Sequence, residues 1–239
     1  RSEALIARHG AALFERALDS YLDFTERRFR AAIADLPDGC YAAEDFLGGD
    51  EPGTLARLAC TLTVRKGRLS FDFTGTDPQL RYARNIPNQA LIATVYCAVK
   101  ALLDPDAPAN GGAFRVVNIV APAGCIVQPV APAAVGTRSI SCSVLSDVVL
   151  NVLAAAMPGR GFAGSGPHHL LVLSGTDPRT GRFFVDYETV AGALGAQSHC
   201  DGLDAVRTLT SGSANLPVEA LEHAFPLRIE RYSLREGSG

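Results

Sequence analysis

Apolar residues recur every three or four positions along the first 36 residues, with arginine and glutamate between them. This spacing places the apolar side chains on one helix face, so it predicts one long amphipathic helix or a helix pair over residues 3–36. Gly10 is the position at which such a helix would divide. The sequence Pro37-Asp38-Gly39 is a turn signal, and we expect the helix to end there and an extended segment to begin.

Two segments with alternating apolar and polar residues follow, 59–65 and 68–74, joined by Lys66-Gly67. Alternation predicts strands, and a two-residue loop that contains glycine predicts a β-hairpin. The same two kinds of pattern continue to the end of the chain. They predict helices over 88–103, over 139–157 and from Pro217, and strands over 115–121, 125–130, 169–173, 182–190 and 227–234.

The order of these elements bears on the fold class. Strands that come in neighbouring pairs joined by short turns, with helices set apart from them, predict an α+β fold with mixed, largely antiparallel sheets and packed helices. No repeat with a period of roughly 20 to 50 residues is present, which argues against a solenoid. Nor does a linker divide the chain, so we expect one compact unit.

Composition and charge favour some classes of protein over others. A chain with 47% hydrophobic and 20% charged residues is typical of a globular domain. A formal net charge of -3 and a pI of 6.0 argue against nucleic acid as a ligand. No apolar run approaches about 18 residues and no leader segment is recognisable, so we expect no membrane span and a cytoplasmic location.

The cysteines and glycines carry no recognisable metal or nucleotide motif. The six cysteines are widely spaced and lack a CxxC pair, so we expect reduced, mostly buried thiols. The glycine-rich segments match neither a phosphate loop nor a dinucleotide-binding turn, and a GxSxG nucleophile motif is absent. If the protein uses ATP, we expect the nucleotide to be bound elsewhere.

Two histidine segments are candidates for chemistry. His168 and His169 lead a strand, where neighbouring side chains point to opposite faces, so a strand edge with one exposed histidine is the simpler interpretation. His199 lies beside Cys200 and Asp201 in a glycine-rich loop, which is either a ligand contact or a surface turn. A metal there would need further ligands, because a site normally takes three or more.

Two acidic residues leave alternatives open. Asp72 ends a hairpin strand in Asp72-Phe-Thr-Gly-Thr76, where it is either a functional carboxylate or a turn-forming aspartate with threonine caps. Glu188 lies inside an apolar strand. It is either on a solvated face or a buried acid that requires a partner.

Short motifs occur in a fixed order along nearly the whole chain, and each is weak alone. They are Phe71-Asp-Phe-Thr-Gly-Thr-Asp-Pro-Gln79, Asn85-Ile-Pro87, Asp106-Ala-Pro-Ala-Asn-Gly111, Pro122-Ala-Gly-Cys-Ile-Val-Gln-Pro129, Pro132-Ala-Ala-Val-Gly136, Tyr187-Glu-Thr-Val-Ala-Gly192, Asp201-Gly202, Pro217-Val-Glu219 and Tyr232-Ser-Leu-Arg-Glu-Gly-Ser-Gly239. In this order they resemble the hydantoinase B/oxoprolinase family. The resemblance implies that residues 1–239 are the central portion of a larger hydantoinase B-type fold, with a metal-binding part before it and a tail after it.

The resemblance also implies a function. Members are the substrate-handling components of ATP-dependent cyclic amide hydrolases, which open hydantoin, oxoproline or lactam rings with a hydantoinase A-type nucleotide-binding subunit. ATP and a divalent metal are then implied for the complete complex, and neither is expected to bind to this segment. On this interpretation the catalytic candidates are Asp72, Glu188 and Asp201, and the substrate-binding candidates are Asn85, Arg138, His199, Gly75, Gly136 and Gly192.

The chain also departs from the family pattern. Relatives tend to have paired glycines and a Thr-Ser-Gln-Arg run where this chain has Gly136-Thr137 and Ser141-Cys-Ser-Val144. The change removes an amide and a guanidinium that could bind a polar substrate or phosphate. Two alternatives to a cyclic amide hydrolase subunit therefore stay open. They are a non-catalytic structural subunit of such a complex, and a component of an ATP-dependent ketone carboxylase.

Overall fold

The computed structural model describes residues 1–161, 163–164, 166, 169–190, 193–206, 212 and 216–234. Two helices open the chain, α1 over Ser2–His9 and α2 over Ala11–Ala34. Gly10 separates them with a φ of 81°, a value that glycine adopts without strain. The amphipathic pattern therefore corresponds to the helix pair. Only the second half of α2 reaches the core, where Phe29 and Ile33 are buried.

The main sheet has four strands in the order β1-β2-β3-β4. They are β1 over Gly39–Gly48, β2 over Leu55–Arg65, β3 over Arg68–Asp72 and β4 over Val117–Val120. The first two pairings are antiparallel and the β3–β4 pairing is parallel. At the β2–β3 turn Lys66 and Gly67 both have positive φ, as a two-residue hairpin loop requires, so the predicted hairpin is confirmed.

One long helix packs against this sheet, and a second long helix packs against the first. Helix α3 runs over Asn88–Leu103, the bounds that the sequence predicts, and α4 runs over Arg138–Ala156. Helix α4 contacts α3, β1 and β2, and it is buried nearly all round, including the polar residues Ser141 and Asp147. It is long and apolar enough to cross a membrane by length and composition, yet 72% of its apolar window is buried inside the fold, as in a core helix.

The remaining elements form smaller units. Strands β5 over His169–Thr176 and β6 over Phe183–Val190 pair as an antiparallel hairpin, and β7 over Ala193–Leu194 pairs with β8 over Leu203–Asp204. Helix α5 covers Val218–Ala224 after Pro217. Mixed, largely antiparallel sheets with packed helices confirm the α+β class.

Two predicted strands are wrong. Residues 125–130 turn back on themselves, because the Gly124 N–H donates to the Gln128 carbonyl at 2.8 Å, and Ile126 and Val127 are both buried instead of alternating. Residues 227–234 form no strand, because a strand exists only by pairing and none of the described strands pairs with this segment. The Ile229 N–H donates instead to the Glu222 carboxylate at 2.8 Å.

Candidate functional site: a cleft at the start of helix α4

A cleft of about 550 Å³ lies where three loops meet. One wall is the β1–β2 loop, the second is the loop before α3, and the third is the residue that precedes α4. We call it the glycine-loop cleft, and its lining residues are Gly48, Gly49, Asp50, Glu51, Pro52, Gly53, Thr54, Tyr82, Ala83, Arg84 and Thr137.

The first two walls are joined by polar contacts in both directions. The Asp50 carboxylate accepts hydrogen bonds from the main-chain N–H groups of Arg81 at 2.9 Å and of Tyr82 at 3.2 Å. The Arg84 guanidinium donates in return to the carbonyl oxygen of Gly48 at 2.7 Å. Hydrogen bonds that involve a charged group are the stronger kind, so the two loops hold each other at a defined separation.

The third wall is fixed by Thr137 and Asn85. The main-chain N–H and the hydroxyl of Thr137 each donate to the Ala83 carbonyl oxygen at 2.8 Å. The side chain of Asn85 is fully buried, accepts from the Leu80 N–H at 2.8 Å, and donates to the carbonyls of Leu80 at 2.8 Å and Ala134 at 2.9 Å. The Asn85 amide is therefore committed to the main chain and supports the cleft from beneath.

Three predicted site residues come together here. Asn85 follows the lining residue Arg84, while Gly136 and Arg138 stand on either side of Thr137, and both are exposed. Arg138 is the first residue of α4. The cleft itself is lined by the guanidinium group of Arg84, together with the carboxylates of Asp50 and Glu51, the exposed ring of Tyr82 and the apolar ring of Pro52.

Asp72 is the last residue of β3, and Gly75 lies in the turn that follows it. The Asp72 carboxylate accepts from the Thr74 N–H at 2.8 Å, and Gly75 has a φ of 97°. The Thr76 hydroxyl is hydrogen-bonded to both the N–H and the carbonyl of Ala59, at 3.1 Å each. The Asp72–Thr74 contact is that of a turn-forming aspartate, whereas the Thr76 hydroxyl binds to β2.

The other candidates lie on the smaller sheets. Glu188 is half-buried on β6, opposite Leu171 of β5. His199 and Asp201 are exposed at the β7–β8 connection, where His199 Nδ1 is 3.5 Å from the Ser198 hydroxyl. Gly192 and His168 lie outside the described residues. Asp72, Glu188 and Asp201 therefore sit on three different sheets or turns.

The side chains that could ligate a metal are scattered over the part of the chain that the structure describes. That part contains no group of three or more histidine, cysteine, aspartate or glutamate side chains able to hold a metal ion. The described residues alone therefore do not supply the three ligands that a metal site normally takes.

The cysteines are free thiols, and they are less buried than we expected. Cys60 and Cys125 are buried and Cys142 is half-buried, but Cys40, Cys97 and Cys200 are exposed. Burial, followed by the negative charge of Asp72, raises the pKa of the Cys60 thiol to about 12. Because the thiolate is the reactive form of cysteine, Cys60 is not a nucleophile at neutral pH.

Sequence reasoning missed several residues that build the site. Asp50, Arg84 and Thr137 interact across the chain, and the only local signal was the glycine pair at positions 48 and 49. It also missed Asp147, whose signal is a carboxylate inside an apolar helix. Asp147 is 5% exposed and accepts from the Gly166 N–H at 3.2 Å.

A series of contacts connects Asp147 with the loop that carries His199. A Cβ at Gly164 would lie 2.6 Å from the Asp147 carboxylate, so that backbone passes directly over it. The neighbouring Ala163 N–H donates to the Ala196 carbonyl at 2.8 Å, and the Ser198 hydroxyl donates to the Gly159 carbonyl at 2.6 Å. A buried carboxyl group on the core helix thereby contacts the segment that holds the loop of the smaller β7–β8 sheet.

Known proteins are similar to this sequence along nearly its whole length. The hydantoinase B/oxoprolinase family matches residues 1–239, and the chain belongs to that family. One subunit of the putative D-/L-hydantoinase of Pseudomonas sp. (strain NS671) is 33% identical over 97% of this chain and 41% of its own length. Its name describes one component of a larger assembly.

Two solved structures share the fold. The crystal structure of ATP-dependent caprolactamase from Pseudomonas jessenii superposes with a TM-score of 0.83 and 25% identity, over 96% of this chain and 41% of that one. The nucleotide-free structure of acetone carboxylase gives 0.79 at 17% identity, over 94% of this chain and 32% of that one, and this likeness concerns the fold alone. The chain spans about two fifths of the length of the hydantoinase subunit and the caprolactamase chain.

Proposed function

We propose that the full-length protein is the substrate-handling subunit of an ATP-dependent cyclic amide hydrolase, with hydantoin, oxoproline or a lactam as its substrate. The observation that carries the proposal is the 33% identity with a putative hydantoinase subunit along nearly the whole chain. The likeness to ATP-dependent caprolactamase supports the same reaction class. We also propose a hydantoinase A-type nucleotide-binding partner subunit and a cytoplasmic location.

The chemistry of the glycine-loop cleft fits such a substrate. A cyclic amide presents a carbonyl that needs a donor, an N–H that needs an acceptor, and ring methylene groups that need an apolar surface. The Arg84 guanidinium donates to Gly48 and keeps further N–H groups, and the Asp50 carboxylate keeps acceptor capacity beyond its two main-chain donors. Tyr82 and Pro52 supply the apolar contact. We assign substrate positioning to this cleft.

The predicted catalytic carboxylates lie on three different sheets or turns. Asp72, Glu188 and Asp201 keep their proposed roles in orienting water or the amide proton, and substitution by the matching amide tests each role separately. An acid or base that moves a proton in the transition state accounts for about 10²- to 10⁴-fold in rate. A metal and ATP in the complete complex would supply the electrophile and the driving energy. This chain's own part is to bind and orient the ring.

The test is a turnover assay on the full-length protein co-expressed with its nucleotide-binding subunit. Hydantoin, 5-oxoproline and caprolactam are each supplied with and without ATP, and ring opening is followed together with ADP release. The proposal expects ring opening of at least one of them only when ATP is present. A stable complex with no turnover of any of the three would support the structural-subunit alternative, and product that forms from acetone only with bicarbonate would support the carboxylase.

A further inference from the structure

A second cleft, of about 430 Å³, lies at the closed end of the β2–β3 hairpin. It is separate from the glycine-loop cleft and shares none of its lining residues. We call it the basic cleft, because three of its side chains are cationic. Its lining residues are Thr63, Arg65, Lys66, Arg68, Leu69, Ser70 and Asn118.

The strand register explains how these groups come together. Arg65 lies directly opposite Arg68 across the β2–β3 pair, and residues directly opposite each other project from the same face of a sheet. The next row on this face holds Thr63 opposite Ser70, and Ser70 opposite Asn118 of β4. Two guanidinium groups therefore stand beside a row of two hydroxyls and an amide.

Like charges directly opposite on neighbouring strands destabilise a sheet, so their compensation matters. Other arginines are paired with a carboxylate: Arg28 with Asp104 at 2.6 Å, and Arg115 with Asp23 at 2.7 Å. Arg65, Lys66 and Arg68, in contrast, form an ion pair with no residue in the described ranges.

The nearby polar groups do not neutralise this charge. The Asp38 carboxylate accepts from the main-chain N–H of Lys66 at 3.2 Å, and no ion pair joins it to the ammonium group within the described residues. Asp72 is on the same face of β3, but it lies four residues beyond Arg68, about 13 Å along a strand. Its carboxylate already accepts from Thr74. Among the residues that the structure describes, no ion pair therefore compensates the positive charge of the basic cleft.

The hydrogen-bonding groups of the cleft are mainly donors. Asn118 Nδ2 donates to the Ser70 hydroxyl oxygen at 3.1 Å, which leaves the Ser70 O–H to donate outward. One guanidinium N–H of Arg68 is used on the Arg115 carbonyl at 3.3 Å, and this contact orients the group while others remain. Guanidinium, ammonium and hydroxyl donors together match the oxyanions of phosphate.

We propose that the basic cleft binds the phosphate groups of a small polyvalent anion, such as pyrophosphate or a nucleoside diphosphate. A phosphate between Arg65 and Arg68 replaces their repulsion with two attractive interactions, and Ser70 and Lys66 add further donors. The three cationic side chains are exposed, so salt screens the interaction and the affinity is modest. This site goes beyond the proposed cyclic amide hydrolysis and does not depend on it.

The test measures binding of inorganic pyrophosphate to the full-length protein by calorimetry, at low and at moderate salt. We expect a Kd in the range of roughly 0.1 to 1 mM at low salt, equivalent to about 4 to 5.5 kcal/mol. The double variant Arg65→Gln/Arg68→Gln should weaken binding by about tenfold or more, because it removes both guanidinium groups. The same titration with ADP at equal ionic strength shows whether a nucleotide or the free anion binds more tightly. In either case the phosphates are the group that the cleft recognises.

A matched control has the same change of charge at another place. Arg8 and Arg16 lie exposed on α1 and α2, so Arg8→Gln/Arg16→Gln should leave pyrophosphate binding unchanged. The single variant Ser70→Ala, which preserves the charge, should weaken binding by a smaller factor. The proposal is wrong if pyrophosphate does not bind at about 10 mM, if sulfate binds equally well, or if the control weakens binding as much as the cleft variant while both fold normally.

Discussion

The carbonyl oxygen of Ala83 accepts two hydrogen bonds from Thr137, one from its main-chain N–H and one from its hydroxyl, each at 2.8 Å. The two residues are far apart in sequence. Their contact joins the loop before α3 to the start of α4, and the glycine-loop cleft opens over the junction. The position of α4, which is a core helix, therefore sets the shape of the proposed substrate site.

Replacement of Thr137 by valine tests this junction. Valine keeps the branched shape and the main-chain N–H but removes the hydroxyl donor, so we expect a loss of about 1 kcal/mol in the free energy of unfolding. Because loss of this hydrogen bond loosens the cleft wall at Thr137, KM for the cyclic amide should rise more than kcat falls. Urea unfolding and steady-state kinetics measure the two effects. Thr61→Val is the control, since the Thr61 hydroxyl makes no hydrogen bond to the described residues.

Asn85 should be more sensitive than Thr137. Its buried amide satisfies the N–H and the carbonyl of Leu80, and Asn85→Ala leaves both groups without a partner, while the Ala134 carbonyl keeps only the main-chain N–H of residue 85. We expect a loss of about 2 to 4 kcal/mol in the free energy of unfolding. A loss below about 0.5 kcal/mol would mean that water replaces the amide freely, and the supporting role would then be wrong.

Asp72 tests the difference between a turn and a catalytic group. Asn keeps the oxygen that accepts from Thr74, so Asp72→Asn should unfold within about 0.5 kcal/mol of the parent, while Asp72→Ala should lose about 1 kcal/mol. Turnover of the stable Asp72→Asn variant then reports on catalysis alone. A fall of about 100-fold or more supports the proposed acid or base, and unchanged turnover removes Asp72 from that role.

The close approach of Gly164 to Asp147 gives a fourth prediction. An alanine there would place its Cβ 2.6 Å from the Asp147 carboxylate, so Gly164→Ala should destabilise the protein by about 1 to 3 kcal/mol. The matched control is Gly212→Ala, since a Cβ at Gly212 meets no atom within 4 Å. Thermal unfolding compares the two variants. Equal midpoint temperatures of unfolding for the two variants would show that the loop over Asp147 accommodates the added methyl group without loss of stability.

The buried thiol of Cys60 predicts a pH dependence of stability. Its folded-state pKa of about 12 exceeds the ordinary value of 9.0 because burial disfavours the thiolate. The folded state therefore holds this proton more tightly than the unfolded chain. The resulting stability is fully present below pH 9 and is lost as the pH rises from 9 towards 12. Cys60→Ala should have a lower stability at pH 8 but a smaller decline over this window in urea unfolding.

Local patterns in the sequence predicted the local structure well. The bounds of α3, the division of the first helix at Gly10 and the Lys66-Gly67 hairpin all depend on residues close together in the chain. The two wrong strands failed even though the contacts that decide them are also short-range, because alternation of apolar and polar residues does not show whether a segment has a partner strand. A turn closed by Gln128 and a contact of Ile229 with Glu222 decided those segments.

The candidate site was less predictable, because its contacts join loops that are distant in the sequence. Asn85, Gly136 and Arg138 were identified through the resemblance to the family. The Asp50 contacts with the 81–82 main chain, and the pairing of Thr137 with Ala83, arise only when distant loops meet. The pattern on a single loop does not encode such contacts. The glycine pair before Asp50 was visible in the sequence, but its role as a cleft wall was not.

The most direct test of the central claim is the effect of Arg84→Gln on ATP-dependent ring opening by the full-length protein with its nucleotide-binding subunit. If Arg84 positions the substrate, kcat/KM for the accepted cyclic amide falls by about tenfold or more in Arg84→Gln, while Arg16→Gln leaves it unchanged. Equal kcat/KM for the parent and a correctly folded Arg84→Gln variant would contradict the assignment of the glycine-loop cleft to the substrate.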